Sequence, residues 1–297
     1  MSRDLPFVLK KSAFVVGSVF GLFLLAALPE MFHVQGGILH VDMAALPRSI
    51  AAYVRGLFTG ESLTYGTSWS PRSFLDTLGY TLPTSLRYAG IALLISLALG
   101  LGFGMALGDR RRERLQDLLG GLGMIPDFIL ALLLQIGVVA VFQATGVRLA
   151  RIASISVTDQ AVALPLIVLT VLPTIYLMRD VSNRVFQVAA EEYVLVARAQ
   201  GLSRARTAWR HVFPHALAHV RGNATKLVAI MLGNLFIVEY LFNLRGVTRL
   251  VFVWANWRYY QFDLVFNSLV VTIGLFLILV IAMRLLLRTL QEVVVRL

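Results

Sequence analysis

Six long runs of apolar residues constrain this chain more than any other feature of its sequence. A helix needs about 20 mostly apolar residues to cross the hydrocarbon core of a bilayer. The runs cover residues 12–29, 87–108, 123–142, 161–178, 224–242 and 264–283. With 58% hydrophobic and 14% charged residues, the composition departs from the usual soluble mixture. The sequence therefore predicts an all-α integral membrane fold with six transmembrane helices, in a single transmembrane domain over residues 1–297.

The first run has a second interpretation, as a secretory signal peptide. Lys10 and Lys11 precede it, and it ends in small and apolar residues. The run is long for a signal, and no clean small-x-small cleavage site follows it. A retained helix is therefore favoured.

The distribution of basic residues predicts the orientation of the chain. In a six-span arrangement, 17 of the 27 Lys and Arg residues fall on one side, which the positive-inside rule identifies as cytoplasmic. Both termini are then cytoplasmic, residues 30–86 form an extracytoplasmic segment, and residues 180–223 form a cytoplasmic loop. The same bias accounts for the formal net charge of +11, so nucleic acid is not expected as a partner.

Two residue patterns that would indicate other chemistry are absent from the sequence. The chain has no cysteine, which excludes a disulfide framework and a cysteine-ligated metal site. It also lacks the GxxxxGK[ST] phosphate-binding loop, so nucleotide hydrolysis is not expected in this chain.

Glycines mark two further features. Gly100, Gly104 and Gly108 lie four residues apart in the second run, so they share one helix face that another backbone can approach closely. Helix packing is favoured over a pore-lining role for this face. Within the extracytoplasmic segment, an amphipathic pattern over residues 50–58 predicts a short helix that ends at Gly60.

Residues 191–217, EEYVLVARAQGLSRARTAWRHVFPHAL, interrupt the apolar runs with two basic helical patterns. Acidic residues begin the first pattern and Arg198 ends it, each at the helix pole that suits its charge. Gly201 tolerates the left-handed conformation that ends many helices, and Ser203 is a suitable N-cap for the second helix. An amphipathic stripe follows at Ala205, Ala208, Trp209, Val212 and Phe213. We expect Pro214 to end the second helix at or just after Phe213.

Spacing alone leaves two interpretations of this loop open. A pair of short basic and apolar helices fits a membrane-surface element that rests on anionic lipid. It also fits the groove of a partner protein.

The loop resembles the cytoplasmic "EAA" loop of ABC importer permeases, specifically the dipeptide, oligopeptide and nickel branch, in which a pattern like YVxxARAxGLxxxxxxxxH recurs. The matching residues here are Tyr193, Val194, Ala197, Arg198, Ala199, Gly201, Leu202 and His211. The resemblance runs over most of the chain. Its other matching residues are Gly60, Gly66, Ser68, Leu82 to Leu86, Pro126, Phe128, Glu239, Phe242 and Gly246.

The resemblance implies a type I ABC importer-like permease in the cytoplasmic (inner) membrane of a bacterium or archaeon. Such a subunit forms half of the translocation pathway for peptides or a related small solute, with a nickel chelate as one option. Its implied partners are a second homologous permease in a heterodimer, two cytoplasmic ATPase subunits and an extracytoplasmic substrate-binding protein. ATP and Mg²⁺ are bound by the ATPases, so no cofactor is expected in this chain.

In this family the loop couples the permease to its ATPases. The expected coupling residues are Tyr193, Ala197, Arg198, Ala199, Gly201, Leu202, Arg204, Trp209 and His211. Trp209 can anchor in an apolar groove, and the arginines can meet acidic rims. Glu239, Phe242 and Gly246 are expected to serve the pathway or the structure. For Glu239, pairing with Arg245 or Arg249 is favoured over substrate contact.

The sequence departs from the branch pattern at several positions. Leu195 replaces the glutamate that names the loop, as is common in this branch. His215 and His219 stand where the branch usually has Asn and Pro, and Pro214 comes earlier. The usual Asp-Pro-Arg near the C-terminus is replaced by residues 291–297, so no role is transferred to that tail.

Two other classes of function remain as alternatives. A secondary transporter is one, since Pro165 and Pro173 could break the fourth span. A membrane-embedded enzyme is the other, but Asp127 and Glu239 fall at opposite faces of the predicted bilayer. The three histidines of the loop recur every four residues like a metal-binding face, although Pro214 is expected to interrupt their helix, so no metal site is predicted.

Overall fold

The computed structural model describes residues 5–35, 38–67, 70–108, 120–121, 123, 125–156, 159–253 and 260–296 of the chain. For residues 5–16, 18, 33–35, 204 and 253 it describes the backbone alone. The described chain is helical apart from two short hairpins and connecting turns, so the predicted all-α fold class is confirmed.

Long helices follow the apolar runs of the sequence, and shorter helices lie between them. Their bounds are α1 Leu5–Met31, α2 Ala45–Thr59, α3 Phe74–Leu107, α4 Asp127–Thr145, α5 Ala163–Ala189, α6 Glu192–Ala199, α7 Arg204–Thr207, α8 Phe213–Gly222, α9 Ala224–Leu241, α10 Val247–Val253 and α11 Phe262–Arg296. A π-helical turn, Ala208–Val212, joins α7 to α8. The strands pair as antiparallel hairpins, β1 Phe32–Gln35 with β2 Ile38–Val41, and β3 Thr64–Gly66 with β4 Pro71–Ser73.

Within the described residues, five helices are long and apolar enough to cross a membrane: α3, α4, α5, α9 and α11. A shorter apolar segment of α1, Val19–Met31, overlaps the first predicted span. The chain is therefore a multi-pass membrane protein. The six-span count, the extracytoplasmic placement of residues 30–86 and the single-domain assignment stay predictions.

Three of the helices extend well beyond the apolar runs that predicted them, and α11 is one of these, since it continues to Arg296 rather than stopping at 283. The helix α3 begins at Phe74 rather than at 87, with Pro83 inside it, and α5 continues to Ala189 rather than stopping at 178. Apolarity marks the part of a helix that suits lipid, whereas the backbone hydrogen bonds of the helix continue through polar residues. The predicted span bounds at 87 and 178 therefore stay predictions about lipid contact, while α3 itself begins at Phe74 and α5 itself ends at Ala189.

The chain divides into two compact units. The first comprises Met1–Pro83 and Gly246–Gly274, and the second comprises Thr84–Arg245 and Leu275–Leu297.

The core of the first unit is aromatic. The rings of Phe23 and Phe266 stack at 4.0 Å, and Tyr53 meets Phe266 edge-on at 4.7 Å. The Tyr53 hydroxyl donates to Oδ1 of Asn267 at 2.6 Å, so the buried polar group of this core has a partner. The predicted amphipathic helix is also confirmed, because α2 ends at Gly60 in the left-handed conformation, with φ of +83°.

The second unit contains closely packed helices. A Cβ added at Gly100 would lie 2.7 Å from Cδ2 of Leu177, and one added at Gly104 would lie 2.6 Å from Cβ of Val181. A Cβ at Gly108 would collide with Val185. The glycine stripe of α3 thus admits the side chains of α5, so the prediction of helix packing for this face is confirmed.

Candidate functional site

The predicted coupling loop leaves α5 through a tight turn and forms its first helix at once. Ala189 is the last residue of α5, and Glu191 takes an extended conformation as the N-cap of α6. Glu192 lies in the first turn of α6 and Arg198 in its last turn, as the dipole argument predicted.

A Schellman motif ends α6 at Gly201. The N–H of Leu202 donates to the Ala197 carbonyl at 3.3 Å, and the N–H of Gly201 donates to the Arg198 carbonyl at 3.0 Å. Gly201 has φ of +86°, which costs a residue with a Cβ about 1–2 kcal/mol. The predicted left-handed helix stop is confirmed, and it fixes the angle at which the chain turns towards α7.

The second half of the loop is one helical path with a widened turn in its middle. Ser203 caps it as predicted, since its Oγ accepts the N–H of Arg206 at 3.4 Å. At the π-helical turn the N–H of Phe213 donates to the Ala208 carbonyl, five residues earlier.

Pro214 does not end this helical path. It lies in the first turn of α8, where a missing N–H removes no helical hydrogen bond. The wider turn before it places the proline at the start of a new α-helical segment. The prediction that the second helix stops near Phe213 is therefore wrong, and helical backbone continues to Gly222.

One side of the loop is buried against the rest of the second unit. Its fully or nearly fully buried side chains are Val194, Ala197, Thr207, Val212, Ala216, Leu217 and Val220. The helices α6 and α8 both pack on α5. Burial of this face fixes the loop to the helical bundle, because each buried aliphatic side chain favours docking by about 1.5–3 kcal/mol.

The other side of the loop exposes apolar side chains. Trp209 is 61% exposed, and Tyr193, Leu195 and Val196 are between 42% and 54% exposed. We call these four residues the exposed apolar residues of the loop. Large apolar side chains exposed on one short element are typical of surfaces that bind another protein or a membrane.

The predicted coupling residues divide between the two sides. Ala197 faces inward, whereas Arg198, Ala199 and Gly201 are exposed, and Leu202 and His211 are half-buried. Tyr193 and Trp209 belong to the exposed apolar residues. The side chain of Arg204 lies outside the described residues.

Aromatic contacts link the two halves of the loop. The ring of Tyr193 lies 5.7 Å from that of His215 and 6.5 Å from that of His211. Trp209 meets Phe213 edge-on at 4.8 Å. Partial burial, and then the nearby Glu191 carboxylate, raise the pKa of the Tyr193 hydroxyl, so this phenol stays neutral at physiological pH. Among the residues that the structure describes, no group of three or more His, Cys, Asp or Glu side chains could hold a metal ion.

A polar cluster joins the loop to α5. Nε2 of His219 lies 3.1 Å from Oδ1 of Asp180, and Nδ2 of Asn223 donates to Oδ2 of Asp180 at 2.9 Å. Both oxygens of one carboxylate are thus engaged by the end of α8. Our sequence reasoning missed this cluster. The four-residue spacing of His219 and Asn223 was a usable signal, but nothing in the sequence marked Asp180 as their partner.

Glu239 is buried within the second unit. The side chain is 0% exposed, and the hydroxyl of Ser85 donates to its Oε1 at 2.5 Å. Arg245 is exposed. Phe242 is also fully buried, and its carbonyl accepts the N–H of Ser154 at 2.9 Å. Gly246 is buried in the first unit. The roles predicted for these residues, including an arginine partner for Glu239, stay predictions.

A cavity of about 470 Å³ lies beside the Asp180 cluster, between α5 and α9. Its polar lining comes from Tyr176, Arg179, Asp180, Asn183 and Lys226.

These features define a class: a polytopic helical membrane protein with a helical loop fixed to its bundle on one side and exposed on the other. The sequence pattern of the binding-protein-dependent transport system inner membrane components matches residues 96–296. The chain belongs to this family, which is a family of permeases rather than enzymes.

Curated relatives agree with this family. The chain is 24% identical over 201 residues to the dipeptide transport system permease protein DppB of Lactococcus lactis subsp. cremoris (strain MG1363), covering 66% of this chain and 63% of that protein. It is 29% identical over 211 residues to DppB of Bacillus subtilis (strain 168), covering 68% and 66% respectively. The matches thus span slightly less than two thirds of each relative. The predicted resemblance to ABC importer permeases of the peptide branch is confirmed.

A solved structure shares the fold. An inward-facing structure of the MetNI methionine ABC transporter superposes with a TM-score of 0.57 at 16% identity, covering 73% of this chain and 97% of that chain. The predicted type I importer-like fold is confirmed.

Proposed function

We propose that this chain forms half of the translocation pathway of an ATP-driven importer of short peptides. The family supplies the transport role, and the names of both relatives specify dipeptides. Peptides are therefore favoured over the nickel chelate that the sequence resemblance also allowed.

The observation that carries the coupling part of this proposal is the two-sided construction of the loop. Its buried face and the Asp180 cluster hold the loop to α5, while the exposed apolar residues are free to enter a groove. A force applied to the exposed face is thus transmitted to a candidate span rather than absorbed by a mobile segment. Arg198, Arg206 and Arg210 of the same loop are also exposed and suit an acidic rim.

The partners in this proposal are those of the family in general. Two ATPase subunits bind ATP with Mg²⁺ and grip the loop, a second permease completes the pathway, and an external binding protein delivers the peptide. In this arrangement, the Trp209 ring is the anchor of the ATPase contact, since buried Trp residues often dominate binding energy.

Substitution of Trp209 tests the coupling proposal. We expect Trp209→Ala to weaken ATPase docking by about 2 kcal/mol and to lower peptide transport accordingly. Retention of ATPase subunits on the purified complex and ATP-driven peptide uptake into proteoliposomes measure the two effects. The control is Phe103→Ala, which removes an aromatic ring 54% exposed on α3 and is expected to change neither quantity.

The same measurement distinguishes a loop that rests on lipid. In that case Trp209→Ala leaves ATPase retention intact, and charge substitutions such as Arg210→Gln reproduce its effect on membrane association.

The cytoplasmic placement of the loop is part of the proposal and rests on the basic-residue bias. A cysteine replacing exposed Ser203 is expected to react with membrane-impermeant reagents only after the cytoplasmic side is opened. Gly66→Cys, in β3, is expected to react from outside. Labelling of Ser203→Cys in intact cells would overturn both the orientation and the coupling role.

A further inference from the structure

The cavity between α5 and α9 is lined by two cationic side chains, by other polar side chains and by a few apolar side chains. Arg179 and Asn183 lie one turn apart on α5, and Lys226 lies near the start of α9. Leu172 and Ile230 supply part of the apolar wall. The volume of about 470 Å³ falls in the range of small-molecule sites.

The two cations have no acidic partner among the residues that the structure describes. Neither Arg179 nor Lys226 forms an ion pair there. The ammonium of Lys226 lies 4.8 Å from the centre of the Tyr176 ring, and the Arg179 guanidinium packs beside Gly120, whose missing side chain leaves room for it. Within the described residues both groups are thus positioned by neutral contacts rather than by an ion pair, and both side chains are exposed, so an anion can reach their charge.

The acidic group of the cavity is already held in place. Asp180 is oriented by His219 and Asn223, so its carboxylate is fixed with respect to the cavity. A ligand that carries both charges therefore meets a matching group of each sign. A purely anionic headgroup gains from the cations but is repelled by Asp180.

We propose that this cavity binds a short zwitterionic peptide in transit, with its C-terminal carboxylate at Arg179 and Lys226. The inference rests on the proposed function, because it places a peptide inside the permease, and it adds a binding site on this chain. The planar guanidinium offers paired donors to a carboxylate, and Lys226 adds a point charge. Asp180 accepts the amino group.

The test measures binding without the external binding protein. The complex of this chain with its companion subunits is purified into phosphatidylcholine nanodiscs, and the probes are radiolabelled L-alanyl-L-alanine and its C-terminal amide. We expect Arg179→Gln and Lys226→Gln each to raise the Kd of the dipeptide about tenfold, the usual effect of losing one charge-assisted hydrogen bond. We expect the amide to bind the unaltered complex about tenfold more weakly than the dipeptide, and both variants to lose this preference.

Two variants serve as controls. Arg179→Lys keeps the charge and is expected to bind better than Arg179→Gln. Arg288→Gln removes an exposed cation on α11, which pairs with Glu292 and does not line the cavity, and is expected to leave the Kd unchanged.

Several outcomes would overturn the inference. These are an absence of dipeptide binding by the unaltered complex, equal Kd values in the unaltered and charge-removed complexes, or displacement of the dipeptide by phosphatidylglycerol added to the nanodiscs. The last outcome would identify the cavity as an anionic-lipid site. ATP-driven uptake in proteoliposomes separates this inference from the proposed function. If uptake is normal in the unaltered complex and also in the double variant Arg179→Gln/Lys226→Gln, the result contradicts only peptide binding in the cavity. If the unaltered complex shows no uptake, the result contradicts the proposed function.

Discussion

Oδ2 of Asp180 accepts a hydrogen bond from Asn223 at 2.9 Å, across 43 residues of sequence. The bond connects a candidate span to the residue that joins α8 to α9. His219 occupies the other oxygen of the same carboxylate. The end of the loop is therefore held to α5 by a charged group as well as by apolar packing, and charge-assisted hydrogen bonds are the stronger kind.

Removal of this bond is expected to loosen the end of the loop. Asn223→Ala leaves one oxygen of Asp180 without its amide donor, which we expect to cost about 1 kcal/mol because the site is partly exposed. Backbone amides of residues 213–222 should exchange hydrogen faster, as measured by mass spectrometry. Asn183→Ala is the matched control, since Asn183 is exposed on α5. Equal exchange in the two variants would show that the cluster does not hold α8.

Gly201→Val is expected to uncouple the loop without disturbing the bundle. The φ of +86° penalises a Cβ, although open space surrounds the residue, so the backbone alone causes the effect. We expect a loss of about 1–2 kcal/mol from the Schellman motif, and transport should fall together with substrate-stimulated ATP hydrolysis. Membrane insertion and pairing with a second permease should persist.

The control for this change is Gly222→Val. Gly222 is also surrounded by open space, but it does not have a positive φ. Transport and ATPase retention should remain near normal in this control. If both quantities are also normal in Gly201→Val, the loop is not a coupling element.

Gly104→Leu is expected to destabilise the second unit. The new side chain would collide with Val181 of α5, and overpacking of this kind typically costs about 1–3 kcal/mol. Thermal unfolding in detergent should show a lower midpoint. Gly102→Leu, on the same helix with nothing within 4 Å of the added Cβ, should leave the midpoint nearly unchanged. A similar midpoint in both variants would contradict the packing role of the stripe.

Substitutions of Glu239 separate a structural role from a role in the pathway. Glu239→Ala removes the acceptor of the Ser85 hydroxyl in a buried site, which we expect to cost about 1–3 kcal/mol in stability. Glu239→Gln keeps an acceptor oxygen and should be milder. Glu292→Ala, an exposed position paired with Arg288, is the control and should have little effect. If Glu239→Gln assembles normally and changes only which substrates are carried, then the role is not structural.

The sequence by itself determined the features that depend on local backbone energetics and on lipid compatibility. The apolar runs predicted the helices, and Gly60, Gly201 and Ser203 begin or end helices where expected. Each of these features is fixed by a few neighbouring residues, because a left-handed φ or an N-cap hydrogen bond is a local property.

Only the tertiary structure decided where helices extend past their apolar runs and which side chains meet. The helix α5 runs on through polar residues because helical hydrogen bonding does not require lipid, and Pro214 is accommodated because a π-helical turn precedes it. Ala197, one of the expected coupling residues, is buried, since packing of α6 on the bundle selects the face. The partners of Asp180 lie 39 and 43 residues away, and only packing of α8 on α5 brings them within hydrogen-bonding distance.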